Sequence, residues 1–381
     1  MNNYSLEIFN NVDDIPKHYW EALGCCDNLY YDPKFLKAFE LGNDDIEFNY
    51  IIVLKNKVPV AFANTQLVTI SIDIITKNVK ISNRLKTFIN NLFYKTEPKI
   101  LFCGNVFLSG EYGTFLKANE SKIETFKQIA KGIKKLSKTI KKTHAIFVKD
   151  FLPESLSITN QLLDFNYTPM QVEPNMMIHL KKEWDTFEDY KKHLKSKYRV
   201  KANRADALSE DLVTQFFEKQ DIIRYKDELQ LLYQNTIDNA NFNAQVLNLN
   251  TYIYLKAAYP KYFIIKGYFI EGKLVGFLTA MKNQNNFDAH FIGINYSLNK
   301  TYAIYPRILN DYIRLGIQFG ATQINLGRTA SEIKSTLGAV PEVLTCYFKH
   351  KKYLINQMVK PFIKQVQIKD YKQHQPFKTR T

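Results

Sequence analysis

The sequence predicts an α/β (α+β) protein made of two tandem domains that share one pattern of elements. Two observations lead to this prediction. The chain has 381 residues, more than a single hydrophobic core usually holds. In addition, each half contains a strand hairpin, an apolar strand, a loop, a helix and a short strand in the same order, at 48–148 and at 262–326. A pattern that recurs within one chain indicates repeated domains.

The composition indicates a globular, basic protein. Hydrophobic residues make up 45% of the chain, which is enough for two packed cores. The formal net charge is +15. Such a charge favours an anionic partner: the phosphates of a CoA-like or nucleotide ligand, an RNA backbone, or an anionic membrane face. A lysine-rich surface that is simply solvated explains the charge equally well.

The cysteines and the apolar runs bear on the location of the protein. None of Cys25, Cys26, Cys103 and Cys346 lies in a CxxC motif or in a spacing typical of zinc sites. We therefore expect no metal site, and free thiols in a reducing compartment. The first residues lack the features of a signal peptide, and no apolar run approaches the roughly 20 residues that span a bilayer. We expect a cytoplasmic protein, with peripheral contact at the inner membrane face as an alternative.

Helix caps and a tight turn define the elements of the first half. Asp32 is a good N-cap and Pro33 suits the first helical position. Asn56-Lys57 joins two apolar runs and predicts a hairpin turn. The predicted elements are strand Ser5–Phe9, helices Ile15–Leu23 and Lys34–Leu41, strands Phe48–Lys55 and Val58–Thr69, an aperiodic stretch Ser71–Lys99, strand Ile100–Phe107, helix Ser121–Lys142, strand Ala145–Val148, helix Glu154–Phe165 and strand Met176–Leu180.

The second half begins with a capping box. Thr186 with Asp189 three residues later predicts the start of a long basic helix, and Glu271-Gly272 predicts a second hairpin turn. The predicted elements are helix Phe187–Ala207, strand Leu212–Glu218, helices Ile222–Asn239 and Thr251–Tyr259, strands Tyr262–Ile270, Lys273–Lys282 and Phe287–Asn295, loop Tyr296–Ala303, helix Ile304–Phe319, and strands Gln323–Leu326 and Val343–Phe348. A strand, loop and helix in this order present a helix N-terminus that can bind a phosphate or carboxylate.

Three stretches carry a resemblance to a known family. They are Phe187–Arg204, which follows the form F-x-x-Y-x-x-x-L-x-x-K-x-R…R, Ile304–Gly320 with Ile324–Arg328, and Lys334–Ala339 before the closing strand. These stretches resemble the FemAB-like, peptidoglycan- and lipid-type N-acyltransferases of the GCN5-related N-acetyltransferase (GNAT) superfamily. The resemblance implies two tandem GNAT-like domains, at 1–175 and 176–348, each a mixed, mostly antiparallel central sheet flanked by helices. The second domain would be the acyltransferase, and a basic amphipathic tail would follow at 349–381.

The loop ahead of the helix at Ile304 departs from the wider superfamily. Members that bind acetyl-CoA usually carry an Arg/Gln-x-x-Gly-x-Gly/Ala loop there, whereas Ser297–Ala303 contains no glycine. Glycines make a close approach of the backbone to a pyrophosphate easy. The acyl donor therefore stays open between a CoA thioester, an acyl-carrier thioester and an aminoacyl-tRNA.

Acyl transfer to an amine needs a base, donors for an oxyanion and a proton for the leaving group. Period-two alternation on strand Phe287–Asn295 places Asp288, His290 and Ile292 on one face. The titration range of His290 suits a general base. Asp288 could orient His290 if a bulge or twist brings the two side chains together. A histidine bonded to the backbone in the core is the structural alternative.

Tyr302, Ala303 and Tyr305 flank the start of the helix at Ile304. A phenol there could give a proton to a leaving sulfur or oxygen, and we assign this catalytic part to Tyr305. The backbone at Tyr302 and Ala303 would face the donor. Because the chain has 24 tyrosines, packing in the core is the alternative for either phenol.

Gly327, Arg328 and Lys334 complete the predicted donor site. Gly327 directly follows a strand, Arg328 can form a fork onto a phosphate or carboxylate, and Lys334 would add a point charge. A structural salt bridge of either cation with Glu332 or Glu342 is the alternative.

The basic helix supplies the predicted substrate-binding residues, Arg199 and Arg204. Lys197, Lys201 and Arg204 share one face of this helix, and Arg199 lies well away from them. A solvated basic face is the alternative. In the tail, apolar residues at 355, 358, 359, 362, 363 and 366 follow helical spacing, so that helix could lie on an anionic bilayer or pack on the protein's own core.

Missing motifs exclude several classes of enzyme. No Walker A loop, GxGxxG, GxSxG or HExxH motif occurs, so NTP hydrolysis, Rossmann redox chemistry, serine hydrolysis and zincin chemistry have no support. The sequence predicts an N-acyltransferase that moves an acyl group from acyl-CoA or an acyl-carrier thioester, used as a co-substrate with no tightly bound cofactor, to an amine of a lipid, amino acid or cell-wall precursor. The alternatives are a Fem-like aminoacyltransferase that uses charged tRNA, and a non-catalytic module that binds anionic lipid or RNA.

Overall fold

The computed structural model describes residues 3–70, 97–141, 143–239, 245–364, 368 and 370–378. Most of the aperiodic stretch Ser71–Lys99 and part of the predicted tail lie outside these residues. Two compact units are present. Unit 1 takes the described parts of 1–173, 241–247 and 343–369, and unit 2 takes those of 174–240, 248–342 and 370–381.

In chain order, the elements up to residue 179 are strand β1 (Tyr4–Phe9), helices α1 (Lys17–Leu23) and α2 (Pro33–Gly42), strands β2 (Glu47–Lys55), β3 (Val58–Thr69), β4 (Lys99–Cys103) and β5 (Thr114–Leu116), helix α3 (Lys122–Thr139), strand β6 (Thr143–Phe151), helix α4 (Leu156–Thr159) and strand β7 (Thr168–His179). Short 3-10 helices occur at Val12–Asp14, Leu29–Tyr31, Pro153–Ser155 and Asn160–Phe165.

The elements that follow are helices α5 (Phe187–His193) and α6 (Ser196–Leu208), strand β8 (Val213–Phe216), helices α7 (Lys219–Arg224), α8 (Lys226–Asp238) and α9 (Asn250–Ala258), strands β9 (Phe263–Ile270), β10 (Lys273–Asn283) and β11 (Asn286–Ile294), helices α10 (Tyr296–Tyr302) and α11 (Ile304–Gln318), strand β12 (Gln323–Asn325), helix α12 (Ser331–Ser335), strand β13 (Val340–His350) and helix α13 (Tyr353–Ile363).

The sheet of unit 1 has the strand order β1-β2-β3-β4-β6, with β5 beside β3 and the later residues of β13 beside β6. Only the β4–β6 pair is parallel among the strands described here. Asn56 and Lys57 both have positive φ, at 50° and 67°, as a tight hairpin turn requires. The predicted hairpin is therefore confirmed. Helix α3 covers this sheet with Phe126, Ile129 and Ile133, which are fully buried.

The sheet of unit 2 has the order β7-β12-β11-β10-β9-β8. β11 and β12 are parallel and the other described pairs are antiparallel. Both units therefore have the mixed, mostly antiparallel sheet and flanking helices that the sequence predicts, and the fold class is α/β.

Helix α11 and the β11 strand form the centre of the unit 2 core. Ile304, Ile308 and Ile313 of α11 are fully buried, as is Phe287 of β11. Helix α8 packs against β11 at Gly293, where a Cβ atom would overlap the Phe277 ring and would lie 2.8 Å from the backbone carbon of Leu232. The glycine therefore lets helix and strand approach closely.

The prediction of one long basic helix at Phe187–Ala207 is wrong in one respect, because the structure has two helices there, α5 and α6. The capping box that begins the first is present, with Thr186 and Asp189 bonded reciprocally. Leu194 and Lys195 are extended, with ψ of 142° and 148°. Leu194 is buried and forms an isolated β-bridge with Phe377. A strand-like contact with the C-terminal segment therefore interrupts the helix.

The predicted loop Tyr296–Ala303 is also corrected, because it is helix α10. Asn295 caps this helix by accepting hydrogen bonds from the backbone N–H of Ser297 at 3.1 Å and from its hydroxyl at 2.7 Å. An asparagine N-cap before a segment without glycine or proline is a helix start signal. Ala303, in the left-handed conformation with φ of 46°, then separates α10 from α11.

Candidate functional site in unit 2

A β-bulge lies at His290 on β11. Leu278 pairs with Ile292 and Ala280 pairs with Ala289, so Thr279 faces both His290 and Phe291. A bulge inserts one extra residue and redirects the side chains beside it. The strict alternation that the sequence predicts for this strand therefore does not hold beyond Ala289. Bulged residues leave the regular ladder, and here the Phe291 carbonyl accepts a hydrogen bond from Thr279 Oγ1.

A chain of hydrogen bonds connects His290 to the core. The Tyr252 hydroxyl lies 3.0 Å from His290 Nδ1 and 3.3 Å from Thr279 Oγ1. Thr279 Oγ1 donates to the Phe291 carbonyl at 2.7 Å. Because this carbonyl only accepts, these contacts allow His290 Nδ1–H to donate to Tyr252 and Tyr252 to donate to Thr279. In a neutral imidazole with this order, the lone pair is on Nε2, as a general base requires.

Burial keeps Tyr252 protonated. Its side chain is fully buried, and desolvation raises the pKa of Tyr252 well above its ordinary value. A phenol that does not ionise is a stable partner for one tautomer of the imidazole. His290 itself is half-buried, as expected of a base that must remain reachable by a substrate.

Asp288 lies two residues before His290 and is 6% exposed. It pairs in register with Asn325 of β12 and with Met281 of β10. Burial lowers the pKa of Lys282, and the carboxylate of Asp288 acts in the opposite direction on that lysine. The Tyr252 hydroxyl is the group that contacts His290 Nδ1. The proposed role of Asp288 in orienting the imidazole therefore stays a prediction.

Tyr302, Ala303 and Tyr305 all lie where α10 meets α11. Tyr302 and Tyr305 pack against the core of unit 2, and burial raises the pKa of Tyr305 far above its ordinary value. The side chain of Asn299 accepts a hydrogen bond from the backbone N–H of Tyr305 at 2.8 Å. Pro306 follows with no N–H to offer. The first turn of α11 therefore has fewer backbone donors for a phosphate than an ordinary helix N-terminus.

Gly327, Arg328 and Lys334 lie together after β12. The buried Lys334 Nζ donates to the carbonyls of Gly327 at 3.2 Å and Arg328 at 2.6 Å. Thr329 and Ala330 have φ of 64° and 49°, a conformation that non-glycine residues rarely adopt. The lysine therefore holds a strained turn, and strain of this kind is frequent at functional sites. The other cation of the turn, Arg328, is half-buried.

The neighbouring strands β11 and β12 bring His290 and the Gly327-Arg328 turn towards each other. β12 runs parallel to β11, and its last residue, Asn325, is in register with Asp288. The chain thus enters the Gly327-Arg328 turn close to the level of His290. Arg199 and Arg204 lie apart from both, on α6, where Arg199 is half-buried and Arg204 exposed. Glu332, suggested as a partner for the cations, instead lies 3.5 Å from His374 Nε2.

A buried ionic cluster around Asp311 of α11 was not predicted from the sequence. The carboxylate accepts from Lys266 Nζ at 2.8 Å, Tyr268 Oη at 2.8 Å, Arg307 Nε at 3.1 Å and Arg314 Nη1 at 2.7 Å. Burial alone would raise the pKa of Asp311, but Lys266 and Arg307 hold it below its ordinary value. A charged residue on the apolar face of a predicted amphipathic helix was the signal for this cluster.

Two kinds of feature are absent from the described residues. No group of three or more His, Cys, Asp or Glu side chains is placed to hold a metal ion among them. Within the same parts of the chain, no helix combines the length and the apolar character needed to cross a bilayer.

Comparisons with known proteins support the fold. No protein-family model matches the sequence, and no curated protein matches it. Solved structures do match. The crystal structure of FemX aligns with a TM-score of 0.57 and 10% identity, over 93% of this chain and 100% of that one. L-PGS from Bacillus licheniformis aligns with a TM-score of 0.52 and 10% identity, over 93% of this chain and 98% of that one.

A third structure names the domain type. It is a tandem GNAT protein from the clavulanic acid biosynthesis pathway, which aligns with a TM-score of 0.50 and 7% identity, over 91% of this chain and 98% of that one. At these identities the likeness concerns the fold. The chain has a FemAB-like tandem GNAT fold.

Proposed function

We propose that this protein is an acyltransferase that passes an activated carboxyl group to an amine, and that unit 2 carries the transfer site. The observation that carries the proposal is the bulge at His290, where the Tyr252 hydroxyl lies 3.0 Å from Nδ1 and 3.3 Å from Thr279 Oγ1 and can hold the tautomer that a general base needs. In this proposal residues 1–175 form an N-terminal GNAT-like domain, 176–348 the catalytic domain and 349–381 a basic amphipathic C-terminal tail, whose described residues belong to unit 1 up to 368 and to unit 2 from 370.

The proposed reaction balances without a cofactor. The amine nitrogen attacks the carbonyl carbon, an N–C bond forms, and the C–S or C–O bond to the carrier breaks. His290 takes the proton of the amine. Tyr305 gives a proton to the leaving sulfur or oxygen. Burial raises the pKa of Tyr305, so this proton transfer is more favourable to an alkoxide oxygen than to a thiolate.

The cations have separate parts in the proposal. Arg328 and the backbone at Gly327 and Ala303 contact the donor. Lys334 fixes the turn that presents Arg328, because its ammonium group is bonded to backbone carbonyls. Arg199 and Arg204 bind the acceptor, which we place among amines of lipids, amino acids or cell-wall precursors.

Two donor classes fit, and one observation separates them. The sequence predicts a thioester of CoA or of an acyl carrier protein. The N–H of Tyr305 is occupied by Asn299, however, and Pro306 has none. This arrangement favours a donor that is not held by its pyrophosphate at α11, such as an aminoacyl ester on tRNA, which the net charge of +15 also suits. A cytoplasmic location, with access to the inner membrane face, would serve either donor.

Supplying each donor separately with a panel of amine acceptors tests the proposal. Mass spectrometry should detect an acylated or aminoacylated amine with one donor class. His290→Ala should lower the rate by about a hundredfold or more, whereas His179→Ala, at an exposed position of β7, should not change it. Arg328→Ala should raise the KM for the donor.

The proposal fails if His290→Ala and Arg328→Ala both retain the wild-type rate. It also fails if no donor class is consumed while anionic lipid or RNA still binds, because the protein would then be a binding module.

A further inference from the structure

Helix α13 of unit 1 has its apolar face turned to solvent. Leu354, Met358 and Phe362 are spaced four residues apart, so they form one stripe along the helix. Their exposed fractions are 76%, 54% and 37%. A helix of a globular domain normally turns such a stripe towards the core. Tyr353, which is 64% exposed, extends the apolar surface at the start of the helix.

A polar residue occupies the inner face of the same helix. Asn356 is 2% exposed. Its Oδ1 accepts from the backbone N–H of His350 at 2.8 Å, and its Nδ2 donates to the Asn166 carbonyl at 2.9 Å. These bonds fix the rotation of α13. The outward direction of the stripe is therefore specified by buried hydrogen bonds and is not a consequence of a loose helix.

Lysines from three elements lie close to this helix. Lys134 Nζ is 5.9 Å from the Phe165 ring and Lys349 Nζ is 5.2 Å from the Tyr167 ring, on the two sides of the Asn166 carbonyl that bonds to α13. Lys134 and Lys138 lie on α3, Lys349 on β13 and Lys360 on α13. Burial, together with the charges of the other three, lowers the pKa of Lys349. Across the described residues, no carboxylate lies within ion-pair distance of any of these four lysines. Like charges held together without counter-charges favour an anionic partner.

We propose that α13 and these lysines form a docking surface for an anionic lipid bilayer. Leu354, Met358 and Phe362 would enter the boundary between headgroups and acyl chains, while the lysines contact lipid phosphates. The surface belongs to unit 1 and uses none of the proposed transfer residues. The inference therefore stands independently of the proposed function.

The combination of apolar and basic groups is what selects a bilayer. An RNA backbone would engage the lysines but gives an exposed leucine and methionine nothing apolar to contact. A second copy of this chain could cover the stripe, but it would bring an identical lysine cluster to the same interface, and like charges facing each other are unfavourable.

Sedimentation of the full chain with lipid vesicles tests the proposal. We expect binding to vesicles of equal parts phosphatidylcholine and phosphatidylglycerol, little binding to pure phosphatidylcholine, and weaker binding as salt rises from low concentration to about 0.15 M. Leu354→Asp combined with Met358→Asp should weaken binding by at least about tenfold. Leu231→Asp combined with Ile223→Asp, at positions of α8 and α7 that are 63% and 45% exposed, makes the same change in net charge, is the matched control and should have a much smaller effect.

The lysines are tested by charge reversal. Lys134→Glu with Lys138→Glu should weaken vesicle binding by at least about tenfold. Lys219→Glu with Lys226→Glu makes the same change in net charge at exposed positions of unit 2 and should have a much smaller effect. Circular dichroism and thermal melts of each variant establish that it is folded.

Several results would overturn the proposal. One is equal binding to neutral and anionic vesicles, or equal binding of the stripe variant and the wild type. Another is binding of RNA, unaffected by Leu354→Asp and Met358→Asp, without vesicle binding. A third is a dimer in solution that these substitutions dissociate while vesicles are not bound, since the stripe would then be a subunit interface.

Discussion

Replacement of Asp311 by asparagine should destabilise unit 2 strongly, because it removes the only carboxylate charge that α11 places inside its ionic cluster. The Asp311 side chain is 1% exposed, and those of Lys266, Arg307 and Arg314 are 12%, 20% and 29% exposed. These cations are largely shielded from water. Asparagine keeps the shape of the side chain and one accepting oxygen, but it leaves the cations without the charge that compensates their burial.

The magnitude follows from the burial of the partners. Breaking a buried ion pair by removal of one partner costs about 3–5 kcal/mol. Because Arg314 also pairs with Asp206, and the amide still accepts one bond, we expect the lower end, about 3 kcal/mol. Asp206→Asn is the matched control. Its side chain is 25% exposed, and the expected cost is about 1 kcal/mol.

The pH dependence gives a second measurement. Burial acts to raise the pKa of Asp311, but the neighbouring cations outweigh it and the pKa is lowered in the folded protein. The stability from this group is therefore fully present above the unfolded-state value of about 3.9 and is lost as pH falls through the folded pKa. Urea unfolding at pH 7 and at several acidic pH values should show a steeper acid loss in the wild type than in Asp311→Asn. Equal costs for Asp311→Asn and Asp206→Asn, or identical acid slopes, would refute this reasoning.

Other substitutions test separate features of unit 2. Tyr252→Phe should lower kcat about tenfold with little change in KM, as measured by steady-state kinetics, because the hydroxyl that contacts Nδ1 of the imidazole is lost. Ala330→Gly should leave stability unchanged or raise it by up to about 1 kcal/mol, since φ there is 49°, whereas Ala207→Gly within α6 should cost about 1 kcal/mol. Both are measured by chemical unfolding. Gly338→Ala places a Cβ atom into the ring of Phe377 and should make residues 370–378 sensitive to protease in the folded protein; unchanged protection would contradict this packing.

Local chemistry explains which parts of the fold the sequence could predict. The hairpin turns at Asn56-Lys57 and Glu271-Gly272 and the capping box at Thr186 depend on residues next to each other in the chain, and the structure contains all of them. The interruption at Leu194 could not be found in this way. Its extended conformation depends on Phe377, which is remote in sequence. The helix and strand propensities of the residues around Leu194 carry no information about such a contact.

The candidate site shows the same division. The strand that carries His290 was evident from its apolar pattern, but the bulge depends on how β10 and β11 align, which alternation alone does not determine. The contact of Tyr252 with His290 could not be predicted from the sequence, for a different reason. Tyr252 reaches His290 from α9, 38 residues away, and one tyrosine among 24 carries no distinguishing signal. Asp311, by contrast, was recognisable as a charge on an apolar helical face.

The start of α11 connects the corrected fold to the choice of donor. The absence of glycine in Ser297–Ala303 raised doubt about a pyrophosphate at this place, and the structure supplies a physical reason for it. The segment is helix α10, which brings the Asn299 side chain to the N–H of Tyr305 at 2.8 Å. A pyrophosphate oxygen at this position would have to displace the Asn299 side chain and would only replace a hydrogen bond that is already made. Pro306 has no N–H group with which to add a second one. Asn299→Ala should therefore improve the KM of a CoA thioester if such a donor binds here, and it should leave the KM of a charged tRNA unchanged.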